Sequence, residues 1–142
     1  MPYLSTIDCL AVAAGRRILV VEDDPDLRAL YSSALRVAGY EVEAVGDGLD
    51  ALYHLENRLP GLVVLDIGLP RISGRTVYEE IAAHRRTHRL PIVVVTGDPG
   101  DLKETTWLCI LRKPVDLDAL IVTVEQCLTK SGSRRRKPRK VF

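Results

Sequence analysis

Short apolar runs alternate along the chain with stretches whose apolar residues recur at helical spacing. The run at residues 62–66 is apolar up to Asp66 and is bounded by Gly and Pro, and residues 91–96 have the same character. Such runs predict strands buried on both faces. Strand and helix alternate five times between residues 16 and 129, which predicts right-handed crossovers and a doubly wound parallel sheet of the α/β class, with helices on both faces. The predicted strands are 18–21, 41–45, 62–66, 91–96 and 107–111.

One connection in this pattern is too short for a regular helix. Thr96 and Lys113 are 17 residues apart, and the fifth strand occupies part of that distance. The turn-rich residues 97–100 occupy more of it, so residues 101–106 offer barely one and a half helical turns. We therefore expect the fourth helix to be short or missing.

The length of 142 residues suits one domain. We assign residues 16–129 to it, residues 1–15 to a flexible leader without the basic start of a secretory signal, and residues 130–142 to a disordered tail. Within it, residues 131–142 hold six basic residues and no acid, whereas the other 130 residues of the chain carry 14 basic and 19 acidic side chains, a net charge of −5. The Ser, Gly, Arg and Lys composition of the tail cannot pack a core. The tail is either solvated disorder or a salt-dependent contact for polyanions.

Composition also excludes some classes of protein and sets the compartment. No apolar run approaches the roughly 20 residues of a membrane span, and no folded reader of DNA sequence is visible, so we expect neither membrane insertion nor sequence-specific DNA binding. Cys9, Cys109 and Cys127 lack metal-ligand spacing. Cys109 and Cys127 fall in apolar runs, which predicts buried free thiols and fits the reducing cytoplasm.

Polar residues follow four of the predicted strands. Glu22 and Asp23 follow the first strand, Asp66 ends the third, Thr96 ends the fourth and Lys113 follows the fifth. Because the carboxyl ends of parallel strands share one edge of the sheet, these groups should converge. Clustered carboxylates repel each other, and an all-oxygen set without His or Cys selects Mg²⁺, or Mn²⁺, to relieve that repulsion. A metal, an ammonium and a hydroxyl around a carboxylate together suit phosphoryl transfer.

Asp66 is the best candidate nucleophile because it leaves a buried strand singly and centrally. Asp23 would bind the metal, with Glu22 acting directly or through water. The flexible Gly68 could present a backbone carbonyl as a further ligand. Asp24 is interpreted as a favourable charge at the start of a helix rather than as a ligand.

The order of these motifs resembles the receiver domain of bacterial two-component response regulators. The acids after the first strand, Asp66 with Pro70 downstream, Thr96 and Lys113-Pro114 carry the resemblance, which covers about residues 16–129. It implies a flavodoxin-like fold with sheet order 2-1-3-4-5 and a cis Lys113–Pro114 bond. It also implies Mg²⁺-dependent transfer of a phosphoryl group to Asp66 from a sensor histidine kinase or a histidine phosphotransfer protein, followed by altered binding to an unknown downstream protein.

The chain departs from the family at the position three residues before the lysine. Receivers usually have Tyr or Phe there as a rotating switch, and this chain has Ile110, with Trp107 too early to replace it. The interpretation is a phosphoacceptor regulator that catalyses its own phosphorylation and dephosphorylation. One alternative is a non-switching interaction module. The other is a phosphatase-like hydrolase, which would need an acid where this chain has Gly68. The histidines are expected on solvated surface: His54, His84 and His88.

Overall fold

The computed structural model describes residues 16–100, 102–105 and 107–135. Within these residues the chain forms five strands and four helices, close to the predicted positions. In order they are β1 (Arg17–Val21), α1 (Pro25–Val37), β2 (Glu41–Val45), α2 (Gly48–Asn57), β3 (Leu62–Asp66), α3 (Gly74–Ala83), β4 (Ile92–Thr96), β5 (Leu108–Arg112) and α4 (Leu117–Arg135).

The five strands form one parallel sheet in the order β2-β1-β3-β4-β5. This is the doubly wound, flavodoxin-like arrangement that the resemblance implies. All residues of β3 and β4 are buried, because helices cover both faces of these central strands. β2 alternates more and is more exposed, as expected for an edge strand.

Alternate side chains of the strands supply two separate apolar cores. Ile18 and Val20 point to one face of the sheet, where they pack in a cluster with Leu35 of α1 and Leu120 of α4. Leu19 and Val21 point to the opposite face, where the cluster includes Ala51 of α2 and Val77 of α3. The predicted helices on both faces are therefore confirmed.

Side-chain caps start three of the helices. Asp24 accepts hydrogen bonds from the backbone N–H groups at 26 and 27, at 2.8 and 3.2 Å, and so caps α1. This agrees with its interpretation as a charge at the start of a helix. Asp47 caps α2 and Ser73 caps α3, the latter as a Ser N-cap is expected to do.

The C-terminal helix is longer than the sequence predicts. α4 runs to Arg135, past the predicted domain boundary at Thr129, and Ser131 is buried. The prediction of disorder from residue 130 is therefore wrong for residues 130–135, because the helix continues and still packs at Ser131. Residues 1–15 and 136–142, which include Cys9 and the rest of the predicted tail, lie outside the described residues.

The connection from β4 to β5 contains no helix among its described residues, 97–100, 102–105 and 107. Instead, residues 102–105 run beside β5, which is an edge strand. The Thr105 N–H donates to the Leu108 carbonyl at 2.9 Å, and the Leu108 N–H donates back to Thr105 Oγ1 at 3.1 Å. Glu104 accepts from the Ile110 N–H at 3.4 Å. The predicted loss of the fourth helix is confirmed, and these polar contacts cover backbone groups of the strand edge.

The predicted environments of the cysteines and histidines hold with one correction. Cys109 and Cys127 are buried free thiols, and His84 and His88 are exposed. His54 is not a solvated surface residue, because only 18% of its side chain is exposed, and its Nε2 lies 2.5 Å from a carboxylate oxygen of β2. Within the described part of the chain, no helix is long and apolar enough to cross a bilayer.

Candidate functional site

Three carboxylates converge at the carboxyl edge of the sheet. Glu22 and Asp23 follow β1 directly, and Asp66 is the last residue of the neighbouring strand β3. One oxygen from each carboxylate lies within 4.8 Å of the other two. Glu22 is 1% exposed and Asp66 is 6% exposed, whereas Asp23 faces solvent. The predicted convergence of these three residues is present in the structure.

Lys113 brings one positive charge to this cluster. Its Nζ lies 3.4 Å from Asp66 Oδ2 and 3.5 Å from Glu22 Oε1, and its side chain is 30% exposed. The Lys113–Pro114 peptide bond is cis, as the resemblance implies. Lys113, which directly follows β5, therefore bridges two of the three acids, although β5 is adjacent to neither of their strands.

The pKa values of two groups reflect this crowding. Burial is the largest cause that raises the pKa of Glu22 from 4.5 to about 7. Hydrogen bonds with Asp66 and Asp23 and repulsion from Asp66 raise it further, whereas the attraction of Lys113 lowers it. Burial tends to lower the pKa of Lys113, but the charges of Asp66 and Glu22 outweigh it, so that this pKa is raised. Lys113 thus stays charged and forms ion pairs with two of the three acids.

The donor set fits a small divalent cation. It consists of three carboxylates with no His or Cys in the group, and hard oxygen ligands select Mg²⁺ or Mn²⁺. Such an ion would offset the repulsion among these carboxylates, which adds to burial in raising the pKa of Glu22. Gly68 is exposed in the loop after β3 and donates its N–H to Asp66 Oδ1 at 3.0 Å. The role of its carbonyl as a ligand stays a prediction.

Thr96 closes β4 beside these residues but makes its side-chain contacts elsewhere. Its hydroxyl donates to the Asp98 carbonyl at 2.9 Å and accepts from the Asp98 N–H at 3.2 Å. Its own carbonyl accepts from the Lys113 N–H at 2.9 Å. Thr96 is therefore joined to Lys113 through the backbone, while its hydroxyl is held by the β4–β5 loop.

Sequence reasoning missed several residues that support the site. A Cβ on Gly74 would lie 2.1 Å from the Asp66 carbonyl oxygen, so only glycine lets α3 begin so close to the end of β3. Arg71 pairs with Asp47 and thereby ties the loop after β3 to the start of α2. A glycine directly after a Ser N-cap was the available signal for Gly74. The Arg71–Asp47 pair joins two distant segments and has no local signal.

Comparisons with known proteins agree with this geometry. A family model described as "Response regulator receiver domain" matches residues 18–125. Protein Rrf1 of Nitratidesulfovibrio vulgaris is 34% identical over 113 residues, which cover 79% of this chain and 82% of that protein. The DNA-binding dual master transcriptional regulator RpaA of a Synechocystis strain is 29% identical over 121 residues, 81% of this chain and 50% of RpaA. The chain thus spans about half the length of that relative.

One similar solved structure contains a metal ion. The receiver domain of the sensor histidine kinase PA1611 from Pseudomonas aeruginosa has a magnesium ion coordinated in its active-site cleft. It is similar to this chain with a TM-score of 0.73 and 27% identity, over 82% of this chain and 99% of that one.

Proposed function

The chain belongs to the response regulator receiver domains of two-component systems, and we propose that Asp66 is the residue on which it accepts a phosphoryl group. The proposed donor is the phosphohistidine of a sensor histidine kinase or of a histidine phosphotransfer protein. The observation that carries the proposal is the position of Lys113, with its ammonium 3.4 Å from the carboxylate of Asp66 in the middle of an acidic cluster. A lone buried acid that only capped a helix would not need this arrangement.

Each residue of the site has a distinct role in the proposed transfer. An oxygen of Asp66 attacks phosphorus, a P–O bond forms, and the P–N bond breaks with its electron pair going to the imidazole of the donor. The Gly68 N–H orients the Asp66 carboxylate. The Lys113 ammonium neutralises charge on the phosphoryl oxygens. The Thr96 hydroxyl leaves the Asp98 carbonyl and donates to one of these oxygens, which moves the loop after β4.

Glu22, Asp23 and Asp66 are the side chains that would hold Mg²⁺, with the Gly68 carbonyl as a further ligand. The bound ion supplies positive charge that offsets the carboxylates and the transferred phosphoryl group. Glu22 must lose its proton to bind the ion, because its pKa is raised to about 7. The magnesium-containing PA1611 receiver supports this assignment by similarity.

Labelling with a small phosphodonor tests the proposal. The wild type should gain one hydroxylamine-labile phosphate from acetyl phosphate when Mg²⁺ is present and almost none when it is chelated. Asp66→Asn should abolish the label, because the amide is not a nucleophile. Asp116→Asn is the matched control, since this exposed aspartate accepts from the Asp118 N–H and is not one of the three clustered carboxylates, and it should be labelled like the wild type. An unlabelled wild type, or equal labelling of Asp66→Asn, would contradict the proposal.

Two observations favour a second candidate, a receiver-fold module that takes the phosphate without switching. The helix between β4 and β5 is missing from the described residues, and the usual aromatic switch is replaced by Ile110, whose N–H is held by Glu104. Hydrogen exchange over residues 96–113 separates the two candidates. Faster exchange in the fully phosphorylated protein than in the unphosphorylated protein supports switching. Unchanged exchange despite full phosphorylation supports the non-switching module.

A further inference from the structure

Glu22 directly follows β1, and its backbone N–H and carbonyl are both hydrogen-bonded. Its N–H donates to the Val45 carbonyl at the end of β2 at 3.1 Å. Its carbonyl accepts from Nη1 of Arg28, on the second turn of α1, at 3.0 Å. The half-buried guanidinium therefore fixes the chain at the point where β1 passes into the loop that carries the acids.

This contact orients two acids at once. The carbonyl of Glu22 belongs to the peptide group that links Glu22 to Asp23, and that group is planar. Holding the carbonyl therefore limits rotation of the plane from which both side chains depart. Asp23 is exposed, so its position depends strongly on its backbone.

Gly46 leaves room for the guanidinium. It follows β2 directly, and a Cβ added there would lie 2.9 Å from Arg28 Nη1 and 3.8 Å from its Cζ. A methyl group at this position would push the end of the arginine away from its place. The absence of a side chain at 46 and the hydrogen bond from Arg28 are thus parts of one packing arrangement.

We propose that Arg28 is a positioning residue that sets the affinity of the carboxylate cluster for a divalent cation. The inference rests on the proposed function for the identity of the ion, and it adds a residue that contacts neither the ion nor the phosphoryl group. Arg28 acts through Glu22 and Asp23, whose carboxylates it holds in a geometry that one ion can bridge.

The same helix offers a matched control. Arg36 lies two turns further along α1, and its Nη2 donates to the Val42 carbonyl of β2 at 2.9 Å. Arg28 and Arg36 thus make the same kind of hydrogen bond to a backbone carbonyl, but only the contact of Arg28 is made to the acidic cluster. A general effect of losing an arginine from α1 should therefore appear in both alanine variants.

Calorimetric titration of the full chain with Mg²⁺ tests the proposal. Arg28→Ala should weaken binding about tenfold, the lower end of the range for outer-shell partners of metal ligands, and Arg28→Lys should recover part of the loss. Arg36→Ala should bind as the wild type does. Equal affinities of Arg28→Ala and wild type would overturn the proposal, as would equal losses in both arginine variants or a wild type that binds no Mg²⁺.

A double-mutant cycle tests the role of the glycine. Gly46→Ala should weaken Mg²⁺ binding in the wild-type background and have almost no effect in the Arg28→Ala background, because the displaced group is already gone. Equal losses in both backgrounds would show that Gly46 acts independently of Arg28, and that part of the inference would fall.

A measurement without metal separates this inference from the proposed function. In chelator, the backbone amides of Glu22 and Asp24 should exchange hydrogen faster in Arg28→Ala than in the wild type. Their exchange rates in Arg36→Ala should equal those of the wild type. Failure of the wild type to accept phosphate would overturn the proposed function and leave this result standing. Unchanged exchange in a folded Arg28→Ala would overturn the positioning role even if Asp66 is phosphorylated.

Discussion

Replacing Glu22 with glutamine should stabilise the metal-free protein, although Glu22 is one of the candidate ligands. Its side chain is 1% exposed, and burial leads the causes that raise its pKa from 4.5 to about 7. Gln has the same shape but no charge. The change therefore removes the cost of ionising a buried acid next to Asp66 and Asp23, while Lys113 keeps its contact with Asp66.

The magnitude follows from the difference between the two pKa values. In the unfolded chain Glu22 loses its proton near 4.5, and in the folded chain near 7. Between these values the folded state binds more protons than the unfolded state, so the free energy of unfolding falls as pH rises. At about 1.4 kcal/mol per pH unit, the loss is about 3 kcal/mol once pH exceeds the folded value. Below 4.5 the contribution of the neutral acid is fully present.

Urea unfolding in chelator, over a pH series that brackets 4.5 and 7, measures this effect. The stability of Glu22→Gln minus that of the wild type should rise with pH by about 3 kcal/mol and level off above the folded pKa. Glu79→Gln, at an exposed site on α3, is the control and should give a flat difference. Adding Mg²⁺ should stabilise the wild type more than Glu22→Gln. A flat difference for Glu22→Gln would refute the reasoning.

Three further predictions concern packing, helix capping and burial elsewhere in the fold. Gly74→Ala should destabilise the protein by about 3 kcal/mol in urea unfolding, because its Cβ would meet the Asp66 backbone; Gly97→Ala, which meets no atom within 4 Å, should be nearly neutral, and equal effects would contradict the packing argument. Ser73→Ala should cost about 1 kcal/mol by the same measurement through loss of the α3 cap, and no loss would show that the cap is dispensable. Burial raises the pKa of the Cys127 thiol, so peptide mapping should find it alkylated by iodoacetamide only in denaturant; alkylation of the native protein would contradict its burial.

The sheet could be predicted because its signals are local. The apolar runs of β3 and β4 are continuous because both faces of these strands are covered, and the alternation in β2 marks an edge. Where tertiary packing decides, the sequence misleads. Ser131 lies in a stretch rich in Ser, Gly and Arg, which favours disorder, yet it is buried on a helix that continues to Arg135. His54 was likewise placed on the surface, because its partner in β2 is remote in sequence.

Some residues of the candidate site could likewise be predicted from local sequence signals, and others could not. The convergence of Glu22, Asp66 and Lys113 needs only the rule that parallel strands end at one edge of a sheet, so it could be inferred from strand ends alone. The role of Arg28 depends on the direction of its side chain toward the Glu22 carbonyl. The role of Gly74 depends on how close its backbone lies to that of Asp66. Neither quantity has a signature in the hydrophobic pattern.

Under the proposed function, the lack of a helix among the described residues between β4 and β5 changes where a signal would emerge. The Thr96 hydroxyl holds Asp98 by two hydrogen bonds, and both are lost when that hydroxyl turns to a phosphoryl group on Asp66. That movement would free the connection between β4 and β5 from its contact with Thr96. In this chain the same connection continues into Glu104 and Thr105, which cover the backbone of β5. Under the proposed function, a movement that begins at Thr96 would therefore act on the contacts that cover the β5 edge.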